Sequence, residues 1–167
     1  MAAEELFGHL PDNELVEENQ AFRNDGGKRF VGQPQWHLNA THGGRGMSMA
    51  DLDDDGDLDI VVNNLLAPAM VFENQLCAGE ALEIDLVWPD SKNTRALGAH
   101  LTLHTDNGTY EREVRAVNGY ASGDPARVHF GFPTGTKVTT LDVRWPDGAT
   151  SSVSDLDPGT QITVTRR

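Results

Sequence analysis

Six aspartates fall within nine residues, Asp51-Leu52-Asp53-Asp54-Asp55-Gly56-Asp57-Leu58-Asp59. Their spacing points to a hard cation. Carboxylates at loop positions 1, 3 and 5 converge when the chain turns sharply, Gly56 at position 6 permits the turn, and the Asp57 carbonyl at position 7 adds an oxygen. Asp59 at position 9 closes the shell. The expected ion is calcium, held by the side chains of Asp51, Asp53, Asp55 and Asp59 with the carbonyl of Asp57 as a fifth ligand. The side chains of Asp54 and Asp57 are expected to point outward as solvent or outer charges. The ordinary alternative is a solvated acidic turn, but six carboxylates this close repel one another strongly without a counter-ion.

The elements that must hold this loop are strands. Ile60-Val61-Val62 follows it and favours a strand, while Gly43, Gly44 and Gly46 before it do not suggest a helix. An EF-hand opens in the same way but needs flanking helices and a bidentate glutamate at position 12, where this chain has Val62. Upstream, Phe22 to Val31 reads as two short strands around an Asn24-Asp25-Gly26-Gly27 turn, and a further short strand is expected over Ala69 to Glu73. From Ala81 onward the alternation is regular: Leu82 to Val87, His100 to His104 and Leu141 to Trp145 are expected to be half-buried strands. Asp106-Asn107-Gly108 has type I′ turn chemistry, and Trp145-Pro146-Asp147-Gly148 makes another reversal. Seven or so short strands at hairpin spacing imply a small antiparallel β-sandwich or barrel. Before Phe22 we expect loop or a short helix.

Length and composition bound the answer further. The chain has 167 residues, is 38% hydrophobic and carries a formal net charge of -13. It can therefore bury a core in one ordinary domain or two small ones. Residues 1–78 hold 14 acidic and 4 basic side chains against 12 and 9 in 79–167, so the negative field belongs mainly to the part with the aspartate loop. Nucleic acid is excluded as a partner, because phosphate binding needs a basic face. Cys77 is the only cysteine, which rules out an internal disulfide and a cysteine-based zinc cluster. No stretch approaches a membrane span, and the opening Met1-Ala2-Ala3-Glu4-Glu5 carries no visible export signal.

Two passages carry a resemblance. Gly44-Arg45-Gly46-Met47-Ser48-Met49-Ala50, running into the aspartate loop and Ile60-Val61-Val62-Asn63-Asn64, resembles an FG-GAP or VCBS repeat, a calcium-binding β-propeller blade. Asn19 to Gly27 with Phe30 is similar to the end of a preceding blade. Leu97-Gly98-Ala99-His100, Asn118-Gly119-Tyr120-Ala121-Ser122, His129-Phe130-Gly131-Phe132 and Val143 to Gly148 resemble the ASPIC/UnbV domain that follows such repeats in the cartilage acidic protein 1-like family. Phe132 and His100 depart from residues common in that family, away from the aspartate loop.

The resemblance implies an all-β chain: blade-like antiparallel hairpins with a calcium loop over 1–78, forming a partial β-propeller, and an ASPIC/UnbV-like sandwich over 79–167. A closed propeller typically needs ~4 or more blades, so one full blade and part of another are not expected to close alone. The resemblance also implies an extracellular or cell-surface setting and a protein or glycan ligand, with self-association or docking on other blades as ways to cover the open faces.

Enzymatic chemistry is the rival class. Gly46-Met47-Ser48-Met49-Ala50 approximates a nucleophile elbow with His42-Gly43-Gly44 nearby, but an elbow needs a helix after the serine and here an aspartate loop follows. His100 and His104 share a strand face at ~13 Å, too far apart for one ion. His129 between Val128 and Phe130 reads as a satisfied structural histidine. A pocket joining His129, Tyr120 and an acid such as Asp124 would favour a small-molecule enzyme. Trp36, Trp88 and Trp145 are expected in cores or under turns.

Overall fold

The computed structural model describes residues 17–75 and 79–167. The described chain is all-β apart from one 3-10 turn, Pro34–Trp36. The N-terminal strands are β1 (Glu17–Glu18), β2 (Phe22–Asp25), β3 (Arg29–Gly32), β4 (Thr41–His42), β5 (Gly44–Ala50), β6 (Asp59–Asn64) and β7 (Met70–Phe72). β1 pairs with β4, β2 with β3 across the Gly26-Gly27 turn, and β5-β6-β7 form an antiparallel meander. The aspartate loop is the β5–β6 connection. Most of the region expected to be loop or short helix before Phe22 lies outside the described residues.

The second half holds β8 (Glu80–Val87), β9 (His100–Thr105), β10 (Gly108–Glu113), β11 (Val128–Phe132), β12 (Val138–Arg144), β13 (Thr150–Ser154) and β14 (Thr160–Thr165). They make two sheets, ordered β11-β8-β14 and β10-β9-β12-β13. Their inner faces interdigitate: Leu82, Ile84 and Leu86 from β8 and Phe130 from β11 meet Leu101, Leu103, Leu141 and Val143, all no more than 1% exposed. Each such side chain contributes on the order of 1.5–3 kcal/mol by leaving water. Trp145 is also fully buried, donating its indole N–H to Ser151 Oγ at 2.9 Å, and Trp88 stacks edge-on against it at 6.4 Å.

Several expectations need correction. β14 runs parallel to β8, so the sandwich is not wholly antiparallel, and no sheet closes into a barrel among the described residues. The Asp106-Asn107 reversal is not type I′: neither residue has a positive φ, and Gly108 alone takes φ +145. Of the two settings expected for the tryptophans, core or turn, Trp36 does not take the first: it is 41% exposed, at the end of the 3-10 turn. Ser48 lies mid-strand in β5, opposite Val61, which removes the elbow geometry.

β8 is unusual in being covered on both sides. Its inner residues enter the sandwich core, while Ala81 and Glu83 on the outer face are only 6% and 7% exposed. The cover is the aspartate loop: a Cβ built on Gly56 would stand 3.9 Å from Ala81 Cβ. A second seam runs along the free edge of β5. Alternate amides point outward there, and Met47 N–H donates to Ser122 Oγ (2.9 Å) and Met49 N–H to Asp124 Oδ1 (2.8 Å). Two side chains from the 115–127 connection thus replace the missing neighbour strand.

Candidate metal centre

Asp51 leaves β5 and folds the loop back on itself. Its Oδ1 accepts from Asp55 N–H at 3.2 Å and its Oδ2 from Gly56 N–H at 2.8 Å. Gly56 takes φ +95, a conformation that costs a side-chain-bearing residue strain, so glycine is required at this turn. Asp55 Oδ1 then accepts from Asp57 N–H at 3.0 Å. Asp59 opens β6, is 3% exposed, and accepts from Leu52 N–H (3.0 Å) and Asn74 N–H (2.8 Å). It anchors both ends of the loop region.

Carboxylate oxygens of Asp51, Asp53 and Asp59 lie within 4.8 Å of one another. Two ligands of one calcium ion, each bonded at about 2.3–2.6 Å, are separated by no more than about 5 Å, so these three oxygens are compatible with a shared ion. Asp55 lies outside that trio, with its carboxylate turned to the Asp57 amide. Asp57 Oδ1 is buried and has no hydrogen-bond partner among the described residues, so of the two readings of that side chain, solvent charge and outer charge, it does not fit the first. Asp54 is exposed, at φ +60.

Backbone amides bond several of these carboxylates, yet repulsion among them persists. Desolvation, then the charges of Asp55 and Asp59, raise the Asp53 carboxyl above its ordinary range. Desolvation and the same two neighbours, joined by Asp53 and Asp51, raise Asp57 as well. Among the described residues, no Lys, Arg or His lies within ion-pair distance of any of the six aspartates. An all-oxygen donor set, a buried unpaired carboxylate oxygen and mutual repulsion fit a hard divalent cation.

The sandwich supplies residues that sequence reading did not connect with the loop. His129 Nε2 donates to the Gly56 carbonyl at 2.9 Å. Beside it, Arg127 bridges Glu83 (3.3 Å) and Asp85 (3.2 Å), and Arg95 reaches Asp85 at 3.5 Å. Burial raises the Glu83 carboxyl and Arg127 pulls it back. Two cavities of about 530 and 500 Å³ share Met49, Leu58, Arg127 and His129 along this junction. Asp124 and His129 line the first; Tyr120, 78% exposed, lines neither.

The other histidines hold no shared centre among the described residues. His100 is exposed, and His104 Nε2 contacts Asp142 Oδ2 at 3.1 Å while Ser152 donates to Asp142 Oδ1 at 2.6 Å. The acid therefore sits between hydroxyl and imidazole. A hydroxyl is activated only when the imidazole takes its proton, which this order does not allow.

Residues 9–62 match the family of FG-GAP-like repeats and residues 89–167 match the ASPIC and UnbV family, in that order along the chain. The repeat match ends inside β6 and so contains the whole aspartate loop; the second match begins just after β8. No curated protein matches the chain.

Proposed function

We propose that this chain, an FG-GAP-like repeat joined to an ASPIC and UnbV domain, is a calcium-dependent, all-β interaction module of the extracellular type. The observation that carries the reading is the convergence of Asp51, Asp53 and Asp59 oxygens within 4.8 Å at a loop that no cation among the described residues neutralises. Asp51, Asp53 and Asp59 would hold the ion, with Asp55 and the Asp57 carbonyl completing the set. The cation would supply positive charge at a turn where carboxylates otherwise oppose one another.

The interaction surface is the open face of the blade. Phe22, Trp36, Leu38, Met47, Ile60 and Phe72 line a groove of about 450 Å³ between the β2–β3 hairpin and the meander. Phe22, Trp36 and Met47 are each at least 41% exposed. Propeller blades cover such faces with a neighbouring blade, so the partner we assign is a further blade, from a second copy or another polypeptide. No helix among the described residues is long and apolar enough to cross a membrane.

Thermal melts with chelator and with millimolar calcium test the ion. A site filled at a hundred times its dissociation constant stabilises by about 2.7 kcal/mol. Asp53 is exposed, and the Asp55 amide that its carboxylate accepts from also donates to Asp51 Oδ1, so Asp53→Ala should barely move the chelator melt and abolish the calcium increment. Asp59→Ala should lower both melts, because it removes the carboxylate that accepts from the Leu52 and Asn74 amides. Equal wild-type melts in chelator and calcium would remove the proposal.

A further inference from the structure

The aspartate loop does not stand alone: one of its peptide groups is held from the opposite half of the chain. We propose that His129, on β11 of the sandwich, is a positioning residue for the aspartate loop and through it for calcium binding, an inference that rests on the calcium reading above.

The geometry begins with the sheet face under the loop. β11 pairs with β8 so that Gly131 stands opposite Ala81 and His129 opposite Glu83. Ala81 and Gly131 make a notch without bulk, and Gly56 settles over Ala81. The imidazole lies back along the strand, where a Cβ on Gly131 would come within 3.4 Å of its Cε1. Val128 and Phe130 on either side of His129 are buried in the core, so the ring projects from a rigid base. Its Nε2 reaches the Gly56 carbonyl at 2.9 Å. A carbonyl can only accept, so Nε2 carries the proton.

That carbonyl belongs to the peptide plane joining Gly56 to Asp57. The Gly56–Asp57 peptide is trans, so the carbonyl of Gly56 and the amide of Asp57 point in opposite directions within one rigid plane. His129 holds the carbonyl outward, onto the sandwich; Asp57 N–H is thereby turned inward, where Asp55 Oδ1 accepts it at 3.0 Å. The preceding amide of Gly56 is fixed by Asp51 Oδ2 at 2.8 Å. Glycine at φ +95 has no Cβ to resist rotation, so without the histidine the Asp57 to Asp55 bond is the hydrogen bond that still restrains this plane among the described residues. His129 thus helps set where the Asp55 carboxylate lies, and fixes the Asp57 Cα from which the next peptide and its carbonyl start, although it touches no ion. The ASPIC and UnbV half becomes part of the metal site of the repeat.

The test uses the full chain and two variants chosen to keep the ring space filled. His129→Phe retains packing and removes the donor; His129→Gln returns an N–H at similar reach. Calcium titration by calorimetry should show affinity about tenfold weaker for His129→Phe, the value of one lost hydrogen bond, and near wild type for His129→Gln. Amide exchange in chelator, followed by NMR at Asp55, Gly56 and Asp57, should quicken severalfold in His129→Phe and not in His129→Gln. Wild-type affinity together with wild-type exchange in His129→Phe overturns the proposal. If wild type takes no calcium yet His129→Phe still loosens those amides, the calcium reading fails and the positioning role stands.

Discussion

Gly46 gives the sharpest prediction about the seam between the two halves. A Cβ placed there would lie 2.8 Å from the Ala121 carbonyl oxygen, where contacts below 3.0 Å essentially never occur. The two backbones must part by roughly 0.6 Å to reach an ordinary 3.4 Å contact, and Ala121 at φ +47 has little freedom to adjust. That displacement stretches the Met47 to Ser122 and Met49 to Asp124 bonds, now 2.9 and 2.8 Å, to the edge of useful hydrogen bonding. One neutral bond and one to a carboxylate together contribute about 2–4 kcal/mol. Gly46 does not have a positive φ, so alanine regains about 0.4–1 kcal/mol by restricting the unfolded chain. The net expectation for Gly46→Ala is a loss of roughly 1–3 kcal/mol, a fall of about 3–9 °C in Tm for a chain of this size. Gly32→Ala is the control. Its Cβ would meet only Phe22 Cε1 at 4.0 Å, so it should melt at or slightly above wild type. Urea unfolding of both variants, read by tryptophan fluorescence, checks the difference. A Gly46→Ala protein as stable as Gly32→Ala would show that the β5 edge is not seated against the 115–127 connection.

Two further outcomes follow from β8 and its outer face. A fragment starting at Pro89 lacks β8, the strand between β11 and β14 that buries Leu82, Ile84 and Leu86; it should stay unfolded by NMR amide dispersion, whereas a fragment from Gly79 should fold alone. Arg127→Met should cost about 1–3 kcal/mol at pH 7, because Glu83 is left buried without its cation. Burial already raises the folded Glu83 carboxyl, and removing Arg127 raises it further. A group whose folded pKa is raised contributes stability below its unfolded value, near 4.5, and loses it as pH rises through the folded value. The gap between Arg127→Met and wild type should therefore widen from pH 4.5 toward 7; a gap independent of pH would contradict it.

The parts of this fold governed by local pattern could be read from the residues. Alternation in Leu82 to Val87 and His100 to His104, and glycine at positions 26, 27 and 148, specify strands and reversals whose causes lie within a few residues. The parallel pairing of β14 with β8 could not, because Gln161, Ile162 and Thr163 find partners about eighty positions earlier and nothing nearby sets their direction. At the aspartate loop the spacing predicted that Asp51, Asp53, Asp55 and Asp59 converge; the structure groups the oxygens of Asp51, Asp53 and Asp59 and turns Asp55 to the Asp57 amide, a division of labour the spacing does not show. Asp59 is a buried acceptor for two amides as well as a carboxylate of the trio, and one of those amides, Asn74, lies beyond β7. His129 looked like a satisfied core histidine from Val128 and Phe130 beside it. Its partner is a carbonyl 73 residues away, a relation visible only once β11 and β8 are in register.

The charges under the loop explain why the sandwich can seat it without neutralising it. Arg127 and Arg95 lie beneath the most acidic segment of a chain with net charge -13, and alone they would form a counter-charge to Asp51 and its neighbours. Instead Glu83 and Asp85 stand between. Arg127 contacts both, Arg95 contacts Asp85, and Gln161 donates to Asp85 at 3.0 Å. These pairs satisfy the guanidinium groups within the sheet, so the loop gains little net positive field from below; Asp51 even adds to the upward shift of Glu83. The hydrogen bond His129 makes to the loop is to a neutral carbonyl, which fixes shape and leaves charge untouched. Had the arginines been free to reach the aspartates, the turn could close on internal ion pairs and a cation would have nothing to add. A seat that fixes the loop's shape while leaving its charge in place is what the proposed cation site would require.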